Sequence, residues 1–216
     1  MLRTTSLITA WMIAAMGCGG SEEGSVKVDQ EALMDPSSAA MNQQAPEKFD
    51  VEFKSSKGDF VLSVRRDLAP IGVDRFYNLV TAGFYSECRF FRVMPNFMAQ
   101  FGFHGDPEVT AVWFDATIED DPPKESNTRG TITFATRGPG TRTTQLFINF
   151  QDNSYLDNQG FTPFGQVTSG MDQVVDSIYS GYGEKPNQTQ IGTKGNHYLK
   201  KIFPDLDYII HARVID

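Results

Sequence analysis

Two polar side chains interrupt one of the most apolar stretches of this 216-residue chain. Residues 89–102 read RFFRVMPNFMAQFG, with Arg92 and Gln100 placed in two hydrophobic arms on either side of a Pro-Asn pair. A guanidinium and an amide offer directional hydrogen bonds, and neither acts as a nucleophile or a general base at neutral pH. This pair therefore predicts recognition of a partly apolar ligand through hydrogen bonds.

Other kinds of reactive site find little support in the sequence. The serines lack a G-x-S-x-G setting, and His104, His197 and His211 are scattered without Cys or paired carboxylates at ligand spacing. Carboxylates cluster in EDDPPKE, where the prolines favour a solvated loop. We therefore expect neither acid–base nor covalent catalysis, and we expect no metal and no cofactor.

Composition and charge narrow the possible classes of protein. Hydrophobic residues make up 40% of the chain and include 17 Phe, which is enough for one sizeable core. The formal net charge is −8 and no basic cluster occurs along the chain, so nucleic acid is not an expected partner. We also expect the protein to be a monomer.

The spacing of Arg92 and Gln100 defines the hairpin that must carry them. A two-residue loop at Pro95-Asn96 would pair Arg92 with Ala99, whereas a three-residue loop, residues 95–97, pairs Arg92 with Gln100. Three-residue loops need one left-handed residue, and Asn adopts that conformation readily. We therefore predict the second register.

That register predicts two different faces for the hairpin. One face is purely apolar and should belong to the core: Phe91, Val93, Ala99 and Phe101. The other face is half apolar and half hydrogen-bonding: Phe90, Arg92, Met94, Met98 and Gln100. Such a mixed surface suits a binding groove for a partly apolar ligand.

Hydrophobic periodicity places this hairpin in a mainly β domain that begins at Phe49. The stretch FDVEFKSSKGDFVLSVRRD alternates apolar and polar residues around SSKG and predicts another hairpin. Pro70 begins a helical pattern of about twelve residues that ends near Gly83, and residues 170–183 predict a second helix. Many short strands with two helices in non-alternating order favour an antiparallel sheet, and closing it into a barrel would leave no exposed edge.

Three motifs resemble one known family. FFRVMPNFMAQFG is similar to the core signature of the cyclophilins, which are peptidyl-prolyl cis-trans isomerases. GTITFATRGPGTRTTQLFINF and YLDNQGFTPFGQV resemble the family's two other active-site segments in the same order, so the resemblance covers residues 49–216. It implies a closed eight-stranded antiparallel barrel capped by two α-helices, and an enzyme that isomerises X-Pro peptide bonds.

The resemblance also implies catalytic and binding roles. Arg92 matches the family's catalytic arginine and Gln100 its glutamine. The apolar proline pocket matches four residues: Phe97, Met98, Phe147 and Leu156. Ala135 and Gln145 match groove residues that border a bound peptide.

Two further substrate-binding positions depart from the family's common pattern. Tyr155 replaces a frequent tryptophan, and Phe161 replaces a frequent histidine. The second change implies a more apolar rim for the proline pocket. The alternative to an isomerase is a catalytically weak module that binds proline-containing peptides or serves as a scaffold.

The first residues predict an export signal, residues 1–17. Arg3 precedes an apolar run of about ten residues, which is too short to span a bilayer as a helix. The run leads directly into Cys18 and resembles a bacterial lipoprotein signal, which implies acylation of Cys18 and a membrane anchor in the cell envelope or periplasm. An ordinary signal peptide and a secreted soluble protein are the alternative.

Residues 18–48 are polar, acidic and free of aromatic side chains. Such a segment buries too little apolar surface to offset its ordering entropy, so we expect a disordered tether between the anchor and the domain at 49–216. The expected partners of the domain are proline-containing polypeptides outside the cytoplasm.

Overall fold

The structure is a computed structural model that describes residues 27–215. Eight antiparallel strands form one sheet in the order β3-β4-β6-β5-β7-β2-β1-β8. Their bounds are β1 Lys48–Ser55, β2 Gly58–Arg65, β3 Arg92–Met94, β4 Met98–Phe101, β5 Thr131–Phe134, β6 Leu146–Asn149, β7 Pro163–Ser169 and β8 Ile209–Ile215. The predicted mainly β, antiparallel architecture is confirmed.

The hairpin predicted around SSKG is formed by β1 and β2. Ser55 pairs with Gly58 across a two-residue loop, and Phe49 and Phe53 lie opposite Val64 and Phe60. These apolar side chains are buried in the main core, where the rings of Phe53 and Phe60 stack with centroids 4.8 Å apart. Period-two alternation therefore placed the buried face of both strands correctly.

The predicted closure of the barrel is not confirmed. The edge strands β3 and β8 do not pair with each other, and within residues 27–215 the chain beside them is joined by one isolated bridge, Arg89 to Tyr208. Glu87 has a φ of 61°, which interrupts the extended conformation that a continuing ladder requires. The sheet is therefore a curled half-barrel.

The first predicted helix is present as α2, Pro70–Thr81. Its apolar stripe, which includes Val73, Phe76 and Leu79, packs into the main core. The prediction of a helix over residues 170–183 is wrong. Val175 and Ile178 are buried there as the pattern predicts, but the segment forms irregular turns and a single 3₁₀ turn, Val175–Ser177.

Backbone hydrogen bonds explain why residues 170–183 are not an α-helix. These bonds span three, four or five residues, whereas an α-helix spans four throughout. Ser177 N–H donates to the Val174 carbonyl, Val174 N–H to the Gly170 carbonyl and Asp176 N–H to the Met171 carbonyl. Tyr179 N–H then donates to the Asp207 carboxylate at 2.7 Å, which draws the chain away from a helical path. Periodicity alone could not reveal that tertiary bond.

Two helices that the sequence did not predict complete the domain. α3, Pro107–Phe114, begins with a proline and is capped by the side chain of Asp106, which accepts from Glu108 N–H at 2.8 Å. α4, Gln188–Ile202, is kinked at Gly195, whose φ of 53° favours glycine. The expectation of two capping helices is therefore right for α2 but wrong in the number of helices and in the position of the second one. No helix within residues 27–215 has the length and apolar composition needed to cross a membrane.

The expectation of a disordered tether is wrong for residues 27–47, which we name the N-terminal strap. The strap contains a short helix, α1 (Gln30–Leu33), and it buries Leu33 and Met41 in the main core. Trp113 Nε1 donates to the Leu33 carbonyl at 2.8 Å, and Ala45 N–H donates to the Asp74 carboxylate at 2.9 Å.

A few apolar side chains order the strap because they fit a surface that the domain provides, and average composition does not show such a fit. The predicted signal peptide at 1–17 and the predicted lipidation site at Cys18 lie outside the described residues.

Candidate active site

The hairpin of β3 and β4 has the predicted register. Arg92 pairs with Gln100, and Met94 pairs with Met98. Asn96 is the left-handed residue of the three-residue loop, with a φ of 59°, and Phe97 N–H closes the turn on the Met94 carbonyl at 3.0 Å. The local turn chemistry therefore decides which side chains face each other.

The two predicted faces of this hairpin hold with one correction. Val93, Ala99 and Phe101 are buried in the main core, and Phe91 is buried in a smaller cluster against α4. Phe90 does not join the mixed face: it lies in the main core with its ring centroid 5.2 Å from that of Phe101. Strand alternation begins only at Arg92, so it does not govern the residues before it.

Arg92 is held from two sides. One terminal nitrogen donates to Gln100 Oε1 at 3.4 Å, and Nε donates to Glu184 Oε2 at 3.3 Å. The guanidinium carbon also lies 5.8 Å from the ring centroid of Phe97. A guanidinium carries five N–H donors, so these contacts fix its orientation and still leave donors for a ligand.

Gln100 connects Arg92 to the next strand. It is almost fully buried, and its Nε2 donates to Gln145 Oε1 at 3.0 Å. Ala135 N–H in turn donates to the Gln145 carbonyl at 2.9 Å. The structure therefore brings Arg92, Gln100, Gln145 and Ala135 together, as the sequence predicted.

An apolar pocket lies beside these polar groups. Its buried part consists of Met98, Phe147 and Leu156, contributed by β4, β6 and the 3₁₀ helix Ser154–Gln159. Phe97, Ala135 and Phe161 are half-buried against this cluster. The rings of Phe147 and Phe161 meet edge to face at 5.7 Å, so the pocket is walled by aromatic side chains.

Tyr155 occupies a different place from the other predicted binding residues. It does not line the groove; its side chain is 55% exposed, and its ring stacks on the ring of Phe97 at 6.4 Å. Tyr155 therefore contacts the pocket through Phe97.

The pocket is one end of a larger groove with a volume of about 730 Å³. The other end is lined by α3, by α4 and by the loop 136–143. The helices contribute Thr110, Ala111 and Phe114 from α3 and Gln188, Thr189 and Thr193 from α4. The groove is far larger than one pyrrolidine ring, so it can hold several residues of an extended polypeptide.

Comparison with known proteins identifies this arrangement. Residues 48–194 match the family model described as cyclophilin type peptidyl-prolyl cis-trans isomerase/CLD. The chain belongs to the cyclophilin family. It is a peptidyl-prolyl cis-trans isomerase, as named relatives also indicate.

Two bacterial relatives and one solved structure illustrate the similarity. A peptidyl-prolyl cis-trans isomerase of Acinetobacter baylyi is 38% identical over 135 residues, which covers 59% of this chain and 70% of the relative. Peptidyl-prolyl cis-trans isomerase A of Dickeya dadantii is 38% identical over 130 residues, covering 57% and 67%.

A crystal structure of a Cryptosporidium parvum cyclophilin shares the fold with a TM-score of 0.61 at 19% identity, covering 78% of this chain and 98% of that one. Another structure of that protein, determined in the presence of the dipeptide Ala-Pro, gives a TM-score of 0.58.

A buried chain of amides supports the apolar pocket of this cyclophilin. Asn153 Nδ2 donates to the Phe97 carbonyl at 2.9 Å and to Asn149 Oδ1 at 2.7 Å. Asn149 Nδ2 donates to Asn127 Oδ1 at 3.3 Å, and Asn127 Nδ2 donates to the Phe161 carbonyl at 2.9 Å. All three asparagines are fully buried. The network therefore connects two aromatic residues of the pocket through hydrogen bonds.

Asp157 anchors the same network. Burial raises the pKa of its carboxyl group, but hydrogen bonds from Ser126 Oγ and from the side chain and backbone N–H of Asn127 outweigh burial and hold the pKa below its ordinary value. Sequence reasoning missed Asp157 and the asparagines, because a buried asparagine and one in a solvated turn look the same in a sequence.

The segment that follows α3, residues 115–123, also has a structural role in this cyclophilin. The residue before α2 is Ala69, which has no side chain to cap the helix. The buried carboxylate of Asp121 does so instead, accepting from Ile71 N–H at 3.0 Å and from Gly72 N–H at 2.9 Å. Arg142 pairs with the same carboxylate at 3.0 Å. The segment thus fixes α2 and the loop that carries one wall of the groove.

Proposed function

We propose that this cyclophilin isomerises X-Pro bonds by binding the twisted amide without covalent chemistry, with Arg92 as the decisive hydrogen-bond donor. One observation carries the proposal: the guanidinium of Arg92 is oriented by Gln100 beside an apolar pocket formed by Met98 and Phe147. A directional cationic donor next to a ring-sized apolar pocket suits a proline and the nitrogen within its ring.

The reaction requires no nucleophile. Rotation about an X-Pro bond crosses a barrier of roughly 20 kcal/mol because it breaks amide resonance. In the twisted state the proline nitrogen becomes pyramidal and regains a lone pair that can accept a hydrogen bond. Because neither planar form offers that acceptor, a donor placed there stabilises the transition state selectively.

The other predicted site residues have complementary roles in this proposal. The apolar pocket holds the pyrrolidine ring, so rotation is confined to the acyl side of the bond. The residues that form this pocket are Phe97, Met98, Phe147, Leu156 and Phe161. Gln100, Gln145 and Ala135 border the substrate backbone, while Tyr155 supports Phe97 from outside. The groove is complete within one chain, which supports function as a monomer.

The central test compares Arg92→Ala with wild type on a proline-containing peptide, with exchange followed by NMR. We expect kcat/KM to fall by about 10²-fold, the loss typical of removing one transition-state donor. Arg65→Ala, at an exposed ion pair outside the groove, is the matched control. Unchanged kcat/KM in a folded Arg92→Ala protein would exclude Arg92 as the donor. Binding of the peptide by wild type without faster exchange would favour the scaffold alternative.

We further propose that the enzyme acts on exported polypeptides from a lipid anchor on Cys18. The apolar run that ends at this cysteine supports the proposal. Because the chain packs onto the domain from residue 27, residues 19–26 would connect anchor and domain, with a contour of at most about 28 Å. The enzyme would then work close to the membrane surface.

Expression of the full chain in a bacterium with an alkyne-labelled fatty acid tests this anchor. We expect label in the membrane fraction for wild type and none for Cys18→Ser. Cys88→Ser controls for the other cysteine, which is buried. Unlabelled protein in the soluble exported fraction would support the secreted alternative.

A further inference from the structure

The arginines of residues 27–215 differ in whether the guanidinium has an oxygen within hydrogen-bonding distance. This part of the chain contains nine arginines. Eight of them place a guanidinium nitrogen within hydrogen-bonding distance of an oxygen: Arg65, Arg66, Arg75, Arg89, Arg92, Arg129, Arg142 and Arg213. Only Arg137 places none of its guanidinium nitrogens on an oxygen of the described residues, and it lines the groove.

Arg137 is nevertheless held in a defined place. Its guanidinium carbon lies 4.6 Å from the ring centroid of Phe114, which orients the charge by a cation–π contact. Its backbone N–H donates to Thr141 Oγ1 at 2.9 Å, and Thr141 Oγ1 also lies 2.9 Å from Thr136 Oγ1. The turn that carries Arg137 is therefore closed by its own hydrogen bonds, so less loop entropy is lost when a ligand binds.

The charges around the groove point to one class of ligand group. Its described lining contains two charged residues, Arg92 and Arg137, and neither an aspartate nor a glutamate. The charge of Arg92 is matched by Glu184 at the rim, with nitrogen and oxygen 3.3 Å apart. Arg137 is thus the unmatched cation of the lining, in a chain whose formal net charge is −8.

We propose that Arg137 forms a subsite for an acidic side chain of the bound polypeptide, so that the enzyme prefers prolines with a nearby Asp or Glu. This inference rests on the proposed function, because it requires the proline to lie in the pocket of Met98 and Phe147. Arg137 follows Ala135, at the border of that pocket, by two residues, which is at most about 7 Å of chain. The acidic residue therefore lies within about three positions of the proline.

Peptides with a single proline test the subsite. Glu, Gln or Lys is placed at each of the three positions on either side of the proline, and the catalysed exchange rate is measured by NMR. For wild type we expect kcat/KM to be about two- to fivefold higher for Glu than for Gln at one of these positions, as for an ion pair at a partly exposed site.

The preference should appear in KM, because the pair forms equally in the ground and transition states. It should also shrink as salt is added.

Matched variants separate a local contact from the general field of the protein. In Arg137→Gln we expect the Glu-to-Gln ratio to fall to about one, and in Arg137→Glu we expect the preference to shift to Lys. Arg213→Gln removes the same charge outside the groove lining, where Arg213 pairs with Glu52, and should keep the wild-type ratio. Melting temperatures confirm that each variant is folded.

Three results would overturn the inference. Wild type that isomerises the Glu, Gln and Lys peptides with equal kcat/KM at every position has no acidic subsite, although the proposed function would stand. If Arg213→Gln loses the preference for Glu as fully as Arg137→Gln does, the preference arises from the overall charge of the protein and not from a local contact. Wild type that isomerises none of the peptides would overturn the proposed function and this inference together.

Discussion

The two ends of the groove are built in different ways. The apolar pocket lies on strands β4 and β6 and adjoins Arg92. The far end lies on α3, α4 and the loop 136–143, and its lining combines threonines, Gln188 and Arg137 with Ala111 and Phe114. We infer that the sheet-built end performs the reaction and that the helix-built end selects the substrate.

The difference shows how each end depends on the rest of the protein. In a sheet, a one-residue shift of register would turn every side chain to the opposite face, so the ladder of β4 and β6 fixes Met98 and Phe147 together. The helix-built end has no such ladder. It is held by separate tertiary contacts, such as the bond from Trp113 to the Leu33 carbonyl.

The largest expected effect comes from removing a buried side chain that supports the helix-built end. Leu33 is fully buried between the N-terminal strap and the core, so Leu33→Ala should lower the free energy of unfolding by ~2–5 kcal/mol, as for other buried leucines. Urea unfolding measures the loss.

The neighbouring residue supplies the control for Leu33. Met34 is 40% exposed, so Met34→Ala should change stability by less than ~0.5 kcal/mol. Below the unfolding transition, Leu33→Ala should keep the kcat/KM of wild type for a neutral peptide. Equal stability of the two variants would show that the strap does not support the fold.

A smaller effect is expected from the amide network behind the apolar pocket. Asn153→Ala leaves Asn149 Oδ1 without its donor and removes one of the two bonds to the Phe97 carbonyl, so it should cost ~1–3 kcal/mol of stability. It should also raise KM for a proline peptide severalfold, with less effect on kcat, because the pocket wall at Phe97 loosens. Steady-state kinetics and urea unfolding measure both.

Asn78→Ala separates positioning from stability. Asn78 is also a buried asparagine, and its side chain donates to the Gln43 and Asp74 carbonyls away from the groove. We expect a similar loss of stability with KM unchanged. If both variants raise KM equally, the network does not position the pocket specifically.

The smallest effect concerns pH. Burial lowers the pKa of His104, although its contacts with Asp106 act in the opposite direction. The ordinary imidazole pKa is about 6.5, so just below this pH the imidazole of the unfolded chain binds a proton while that of the folded chain stays neutral. Stability should fall as pH drops from about 6.5 towards the lower folded pKa, and it should be constant with respect to this group above that window.

Urea midpoints at several pH values test the contribution of His104. His104→Asn keeps an acceptor near Asp106 N–H and should lose less stability than wild type across the acidic window. His197→Asn, at an exposed histidine, is the control. Parallel curves for wild type and His104→Asn would remove His104 as a source of pH dependence.

Particular residues show which parts of the structure could be predicted from the sequence. The pairing of Arg92 with Gln100 was predictable because Asn96 is one of the few residue types that tolerates the left-handed turn. Helix α2 was predictable from its proline start and apolar stripe. The irregular turns at 170–183 were not, because the bond from Tyr179 to Asp207 joins residues far apart in the chain.

The sequence by itself indicated the family through three motifs, and it determined the register that pairs Arg92 with Gln100, because turn chemistry and strand alternation are local properties. Only the tertiary structure decided that residues 27–47 are part of the fold, that α3 and α4 form a second wall, and that Arg137 lacks a counter-charge. Those features depend on contacts between residues that are far apart in the chain, and neither composition nor periodicity reveals such contacts.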